Sequence, residues 1–130
     1  YGFSSNKPWL RLGSDSDMRN VATQEQDAAS MLMMTRSLLA LRHQEKALSL
    51  GNWSSLYADD HVMAYERVFD ADRFVIILNL TDRLVQAEPP PYPSQLILST
   101  YLHQERIVAD FSDHVVLRPN EGCIFKVMPE

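Results

Sequence analysis

Cysteine is almost missing from this 130-residue chain: Cys123 stands alone, so no intrachain disulfide framework can staple it. Glycine is scarce too, four residues against seven prolines, and no long apolar run occurs, which describes a soluble domain with loops. Basic charge is in deficit, with 12 Lys/Arg against 17 Asp/Glu. The resulting net charge of −5 repels phosphate backbones and anionic lipid, so neither nucleic acid nor a membrane is expected as a partner. The deficit is uneven: residues 1–50 carry +1 and residues 51–130 carry −6. The four histidines (His43, His61, His103, His114) lack ligand spacing, so no metal site and no cofactor are expected. No basic stretch leads into an apolar signal-type segment, and nothing is long enough to span a bilayer. The chain reads as cytoplasmic and, from its start at Tyr1, is expected to be a fragment.

Apolar residues at 45% and charged residues at 22% are ordinary for a globular protein, which excludes disordered, collagen-like and coiled-coil classes. A chain of this length can bury roughly two-thirds of its unfolded surface. The first 24 residues are turn chemistry, Ser-Ser-Asn-Lys-Pro at 4–8 and Gly-Ser-Asp-Ser-Asp at 13–17, around an apolar island of Trp9, Leu10 and Leu12 expected to dock on a larger body. One helix is predicted at about 27–47, N-capped by Asp27, with Met31, Met34, Leu38, Leu41 and Leu48 at steps of three, four and seven. Leu32, Leu39 and Ala28 widen its stripe to more than one side, so the helix is expected to pack between two bodies. Arg42, His43 and Lys46 crowd its last turns, and Gly51 closes it.

From Asn52 the period changes to two. Met63, Tyr65 and Phe69 alternate with Ala64, Glu66 and Val68, and Arg73 to Leu80 forms a nearly continuous apolar strand. Asp70-Ala71-Asp72 between them has hairpin length. Further strands are expected at 53–57, 83–88, 95–100, 106–110, 114–118 and 122–128. Dense punctuation separates them, including Pro89-Pro90-Pro91-Tyr92-Pro93. The pattern predicts a mainly β fold: an antiparallel Greek-key β-sandwich preceded by one long α-helix.

Chemistry-bearing residues form no constellation. Neither a Ser/Cys, His and carboxylate triad nor a carboxyl pair about 5 to 9.5 Å apart can be placed. The acids of the β region, Asp59, Asp60, Asp70, Asp72, Asp82, Asp113 and Glu121, fall at turns and read as solvated loop carboxylates. Cys123 lies in an apolar strand and reads as a buried, inert thiol. Trp9 and Trp53 read as packing between elements, and the Asn79-Leu80-Thr81 glycosylation triplet reads as chance.

An ordered series of motifs carries a resemblance. Lys7-Pro8-Trp9-Leu10-Arg11-Leu12, Asn20-Val21-x-x-Gln24, Asp27-x-x-Ser30-x-Leu32, Arg36-Ser37-Leu38-Leu39-Ala40-Leu41-Arg42 and Ala47-Leu48-x-x-Gly51 resemble a stretch of the α-amylase superfamily (glycoside hydrolase family 13), in its α-glucosidase and oligo-1,6-glucosidase branch. Val62-x-Ala64-Tyr65-x-Arg67, Phe74-Val75-Ile76-Ile77-Leu78-Asn79-Leu80, Ile97-Leu98-Ser99-Thr100 and Leu117-Arg118-Pro119-Asn120-Glu121-Gly122 resemble strands of its C-terminal β-domain. The resemblance implies that residues 1–50 are the remnant of a (β/α)8 catalytic barrel, a loop plus its final helix at about 27–47, and that residues 51–130 are the all-β C-terminal domain. It also implies retaining hydrolysis or transfer at an α-glucosidic bond in the full-length protein. The Asp nucleophile, Glu acid/base and stabilising Asp project from earlier barrel strands. This chain begins after them, so no catalytic, substrate-binding or metal residue is carried over, and the fragment is expected to be inactive.

The implied partner is the rest of the barrel, with an α-glucoside reaching the protein only through that missing part. Without the barrel, Met31, Leu32, Leu38 and Leu39 leave a patch larger than monomers tolerate, so self-association through the helix at 27–47, or its refolding onto the sheet, is expected. Two other functions stay open. One is a non-catalytic relative like the transporter heavy chains, similar at Leu98-Ser99-Thr100 and Glu121-Gly122. The other is an autonomous carbohydrate-binding module using Trp53, Tyr57 or Tyr101.

Overall fold

The computed structural model describes residues 5–11, 13–16, 18–102 and 114–129. Along them run helices α1 (Val21–Gln26), α2 (Met31–Gln44) and α3 (Lys46–Leu50), then strands β1 (Asn52–Ala58), β2 (Val62–Phe69), β3 (Asp72–Asn79), β4 (Val85–Ala87), β5 (Ser94–Ser99), β6 (Val115–Leu117) and β7 (Gly122–Val127). The strands form a five-stranded sheet in the order β1-β2-β3-β7-β5 and a two-stranded sheet of β4 and β6, every pair antiparallel. Strands β3, β7 and β5 are neighbours out of chain order, as a Greek-key arrangement requires. The expected strand at 106–110 lies outside the described residues.

The apolar run of β3 is continuous because this strand is covered on both faces. On one face Val75 and Ile77 join Val62, Ala64, Cys123 and Phe125 of the large sheet against Ala87, Val115 and Leu117 of the small one. On the other face Phe74 and Ile76 pack with Ala47, while Leu48, Tyr65, Phe69, Leu78 and Ile124 close round them. Phe74, Val75 and Ile77 are fully buried, and each such side chain contributes about 1.5–3 kcal/mol relative to exposure. The alternation in β2 has the same origin, since Ala64 pairs with Ile77 and Tyr65 with Ile76 on opposite faces. Asp70 and Ala71 make the turn into β3, and Asp70 takes a positive φ of 52°, which short polar side chains tolerate.

The single predicted helix is replaced by three pieces. Its expected cap, Asp27, instead ends α1 and accepts from the Ala29 amide at 2.9 Å. The cap of helix α2 comes three residues later, where the Ser30 hydroxyl accepts from the Met33 amide and donates to the Gln24 carbonyl at 2.7 Å. The second break falls at Glu45, whose backbone turns extended (φ −104°, ψ 106°). Both Glu45 carboxylate oxygens accept from Lys126 Nζ at 3.0 Å, tying the break to β7, and Lys126 also lies over the Phe74 ring. The break turns α3 onto the sheet and leaves α2 standing off. No residue of α2 is buried, and Met31 and Leu39 are 67% and 53% exposed. Trp9 and Leu10, expected to dock on a larger body, are also exposed here, and Leu12 lies outside the described residues.

Gly51 permits the close approach of α3 to β2. Its φ of −63° suits any residue, but a Cβ would run into the Ala47 carbonyl oxygen and lie 2.8 Å from the Val68 oxygen, both of them backbone atoms. Gly51→Ala is therefore expected to lower the urea unfolding midpoint by the equivalent of about 1–3 kcal/mol. An unchanged midpoint would mean that the approach is loose.

Candidate functional site

The aromatic residues that could have built a sugar platform are separated. Trp53 pairs with Arg67 and Tyr57 with Ala64, because the β1–β2 register slips between Ser55 and Tyr57. That bulge puts the two side chains on opposite faces of the sheet. Trp53 lies beside Tyr65, ring centroids 6.1 Å apart, on the face that carries α3. Tyr57 packs on the inner core and donates its phenol to the Glu88 carbonyl at 3.2 Å. Burial, with the negative charge of Glu88 beside it, pushes that phenol up to about 12. Tyr101 lies under the Arg118 guanidinium, 4.0 Å from ring centroid to Cζ, and donates to the Pro119 carbonyl at 2.8 Å.

Most of the acids behave as turn carboxylates. Asp60, Asp70, Asp72 and Asp82 are exposed, and Asp113 lies outside the described residues. Asp59 accepts from the His61 and Val62 amides, both at 2.7 Å, which hold its carboxyl below the usual range. Glu121 departs from the expectation of a solvated loop acid, being only 1% exposed. Its carboxylate accepts from Arg118 Nη2 at 3.1 Å, from the Arg118 amide at 2.8 Å and from the Ser99 hydroxyl. Burial works to raise its pKa, but the hydrogen bonds from Arg118 and Ser99 outweigh this and hold it below the ordinary glutamate value. Beside it Asn79, 4% exposed, donates to the Arg83 and Arg118 carbonyls and accepts from the Thr81 amide and hydroxyl. The Asn79-Leu80-Thr81 triplet is thus a structural turn. Cys123 is buried, as its apolar strand suggested. Among the described residues, no three His, Cys, Asp or Glu side chains come close enough to hold a metal ion.

A groove of about 420 Å³ lies between α2 and the outer face of the large sheet. Leu38, Leu39 and Arg42 line its helix side, and Tyr65, Arg67, Ile76, Leu78 and Ile124 its sheet side. The Arg67 Nε is buried and has no hydrogen-bond partner among the described residues. Chemically this is an apolar trough carrying positive charge, suited to binding rather than to bond making. Sequence reasoning missed three of these features. Arg118 and Glu121 could have been noticed as an i,i+3 pair across a Pro-Asn turn. Glu45 and Lys126, 81 residues apart, and the convergence of Arg42 with Arg67 have no local signal.

No protein-family model matches the chain. Among curated proteins, the oligo-1,6-glucosidase of Heyndrickxia coagulans is 27% identical over 125 residues, covering 95% of this chain and 21% of that protein. The amino acid transporter heavy chain of Oryctolagus cuniculus is 30% identical over 126 residues, covering 88% of this chain and 24% of that protein. In fold, the trehalulose synthase MutB of Pseudomonas mesoacidophila MX-45 superposes with a TM-score of 0.85 at 24% identity, covering 98% of this chain and 23% of that structure. The chain spans about a fifth of the length of these relatives. Among the described residues no helix is long and apolar enough to cross a membrane.

The Glu121 cluster makes a pH prediction. A carboxylate held below its unfolded value adds stability above the ordinary glutamate range, about 4.3, and that stability is lost as pH falls through the lowered value. Glu121→Gln leaves Arg118 without its charge partner and is expected to cost about 3–5 kcal/mol at pH 7, measured by urea unfolding. The gap between variant and parent should narrow at pH 3. A gap independent of pH would show that the charge contributes nothing.

Proposed function

We infer the role of this chain from its similarity to glucosidases of glycoside hydrolase family 13, the α-glucosidase and oligo-1,6-glucosidase kind, of whose length it covers about a fifth. We propose that it is the non-catalytic C-terminal region of an α-glucosidase-like glycoside hydrolase and that it stabilises the rest of that protein. In this reading residues 51–130 are a β-domain of their own. Residues 1–50 are the loop and last helix of a (β/α)8 barrel supplied by the remaining four-fifths. Retaining hydrolysis or transfer at an α-glucosidic bond takes place in that barrel, and no catalytic or substrate-binding residue lies in this chain.

The observation that carries the proposal is the contrast in burial between the helical segment, where no residue of α2 is buried, and the sheets. The two sheets close on an apolar core of their own, whereas of the described residues before Gly51 only Ser30 and Ala47 are buried, and Trp9, Leu10, Val21, Met31, Leu39 and Leu50 are exposed. An apolar surface spread over one end of a domain is one that another body covers. A second reading is favoured by the similarity to the transporter heavy chain: a superfamily relative without catalytic acids, acting through protein interaction. The coding sequence upstream of Tyr1 separates the two. Three catalytic carboxylates on barrel strands support the hydrolase, whereas their absence together with a membrane-spanning segment supports the heavy-chain reading.

The purified 130-residue chain is expected to release no glucose from maltose or isomaltose, to sediment as an associated species through α2, and to bind a hydrophobic dye. Turnover of either disaccharide would place catalysis in the chain. A dye-free monomer would remove the argument from the exposed helical end.

A further inference from the structure

The groove between α2 and the large sheet contains an imbalance that its apolar lining does not resolve. Arg67 projects from β2 on the sheet side and Arg42 from the last turn of α2 on the other, among Leu38, Leu39, Ile76 and Leu78. None of the ion pairs among the described residues includes either arginine, although Glu66, next to Arg67 in sequence, is engaged by Arg73 and Ser54. The Nε of Arg67 is shielded from water with no acceptor among the described residues. A desolvated guanidinium donor without an acceptor costs free energy, and an entirely apolar occupant would raise that cost by stripping water from the rest of the group. A carboxylate reverses the sign, because a planar guanidinium takes it through two charge-assisted hydrogen bonds. Arg67 belongs to residues 51–130, whose formal charge is −6, and Arg42 to residues 1–50, whose formal charge is +1; the two put positive charge on both walls of the groove, and charge there favours an acidic occupant.

We propose that this groove seats an acidic segment of the body that completes the protein, an Asp or Glu flanked by aliphatic side chains, with Arg67 as its anchor and Arg42 beside it. The aliphatic flanks cover Leu38, Leu39, Ile76 and Leu78, and the carboxylate supplies the acceptor that Arg67 Nε lacks. This rests on the reading above that a larger body covers the helical end, and deepens it by giving that body's contact chemistry.

The test compares the full-length protein with the 130-residue chain. Amide hydrogen exchange over residues 31–50 is expected to slow at least tenfold in the full-length protein. Arg67→Met should abolish most of that protection there, and Arg67→Lys should retain part of it, since an ammonium keeps the charge but not the fork. In the 130-residue chain Arg67→Met should leave the urea midpoint unchanged or raised, because it removes an unpaired buried donor. Arg67→Gln, which keeps polarity without charge, guards against a packing effect of methionine and should behave as Arg67→Met does in the full-length protein. Equal loss of stability in both forms would make Arg67 a packing residue and overturn the proposal. Protection that is present but indifferent to all three substitutions overturns the carboxylate contact and leaves the covering body standing. Absence of any added protection overturns both.

Discussion

Burial of β3 on both faces is the constraint from which the rest of the architecture follows. A strand reading Phe74-Val75-Ile76-Ile77-Leu78 cannot leave either face in water without losing several kcal/mol of transfer free energy. The β4–β6 pair covers one face, through Ala87, Val115 and Leu117. The other needs something small enough to lie close, and α3 supplies Ala47, fully buried against Phe74 and Ile76. The approach is possible because Gly51 has no Cβ to meet the Ala47 and Val68 carbonyls.

The break between α2 and α3 belongs to the same requirement. An unbroken helix through residue 50 could not lay Ala47 on the sheet and keep α2 directed away from it. Glu45 accommodates the change of direction with extended backbone, and its ion pair with Lys126 fixes that change to β7, while the lysine's position over Phe74 links the pair to the outer core. At the other end of the sheet, a second polar cluster secures the turn from β6 to β7. Glu121, Arg118, Ser99 and Asn79 satisfy one another and the local backbone, and Asn120 takes a positive φ of 54° within it. Such buried polar groups are tolerated because they are bonded throughout. The contrast with Arg67, which is not, gives the groove its meaning.

Strand positions were legible in the sequence to within a residue or two for the described strands, since period-two alternation and turn residues are local signals. The helix was legible as helical but not as broken. Met31 to Leu48 keeps an apolar step of three and four across Glu45, and nothing nearby in sequence announces that Lys126 will take that carboxylate. Glu121 was misread for a related reason. An acid after Pro-Asn looks like a solvated turn, and only the fold buries it against Arg118. The separation of Trp53 from Tyr57 was not legible either, because one slipped residue in β1 sends the two to opposite faces.

By itself, the sequence determined the mainly β class, the nearly continuous apolar run that becomes β3, the absence of a disulfide framework and the family resemblance, all of which rest on composition, short-range periodicity or ordered motifs. Tertiary structure alone decided where the helix breaks, which acid is buried and that Arg67 Nε is left without an acceptor among the described residues. Those outcomes depend on residues brought together from distant parts of the chain: Glu45 with Lys126, Ser99 with Glu121, Arg42 with Arg67. Periodicity reports which face of an element is apolar, but the partner that face or charge meets is set by how the chain closes on itself.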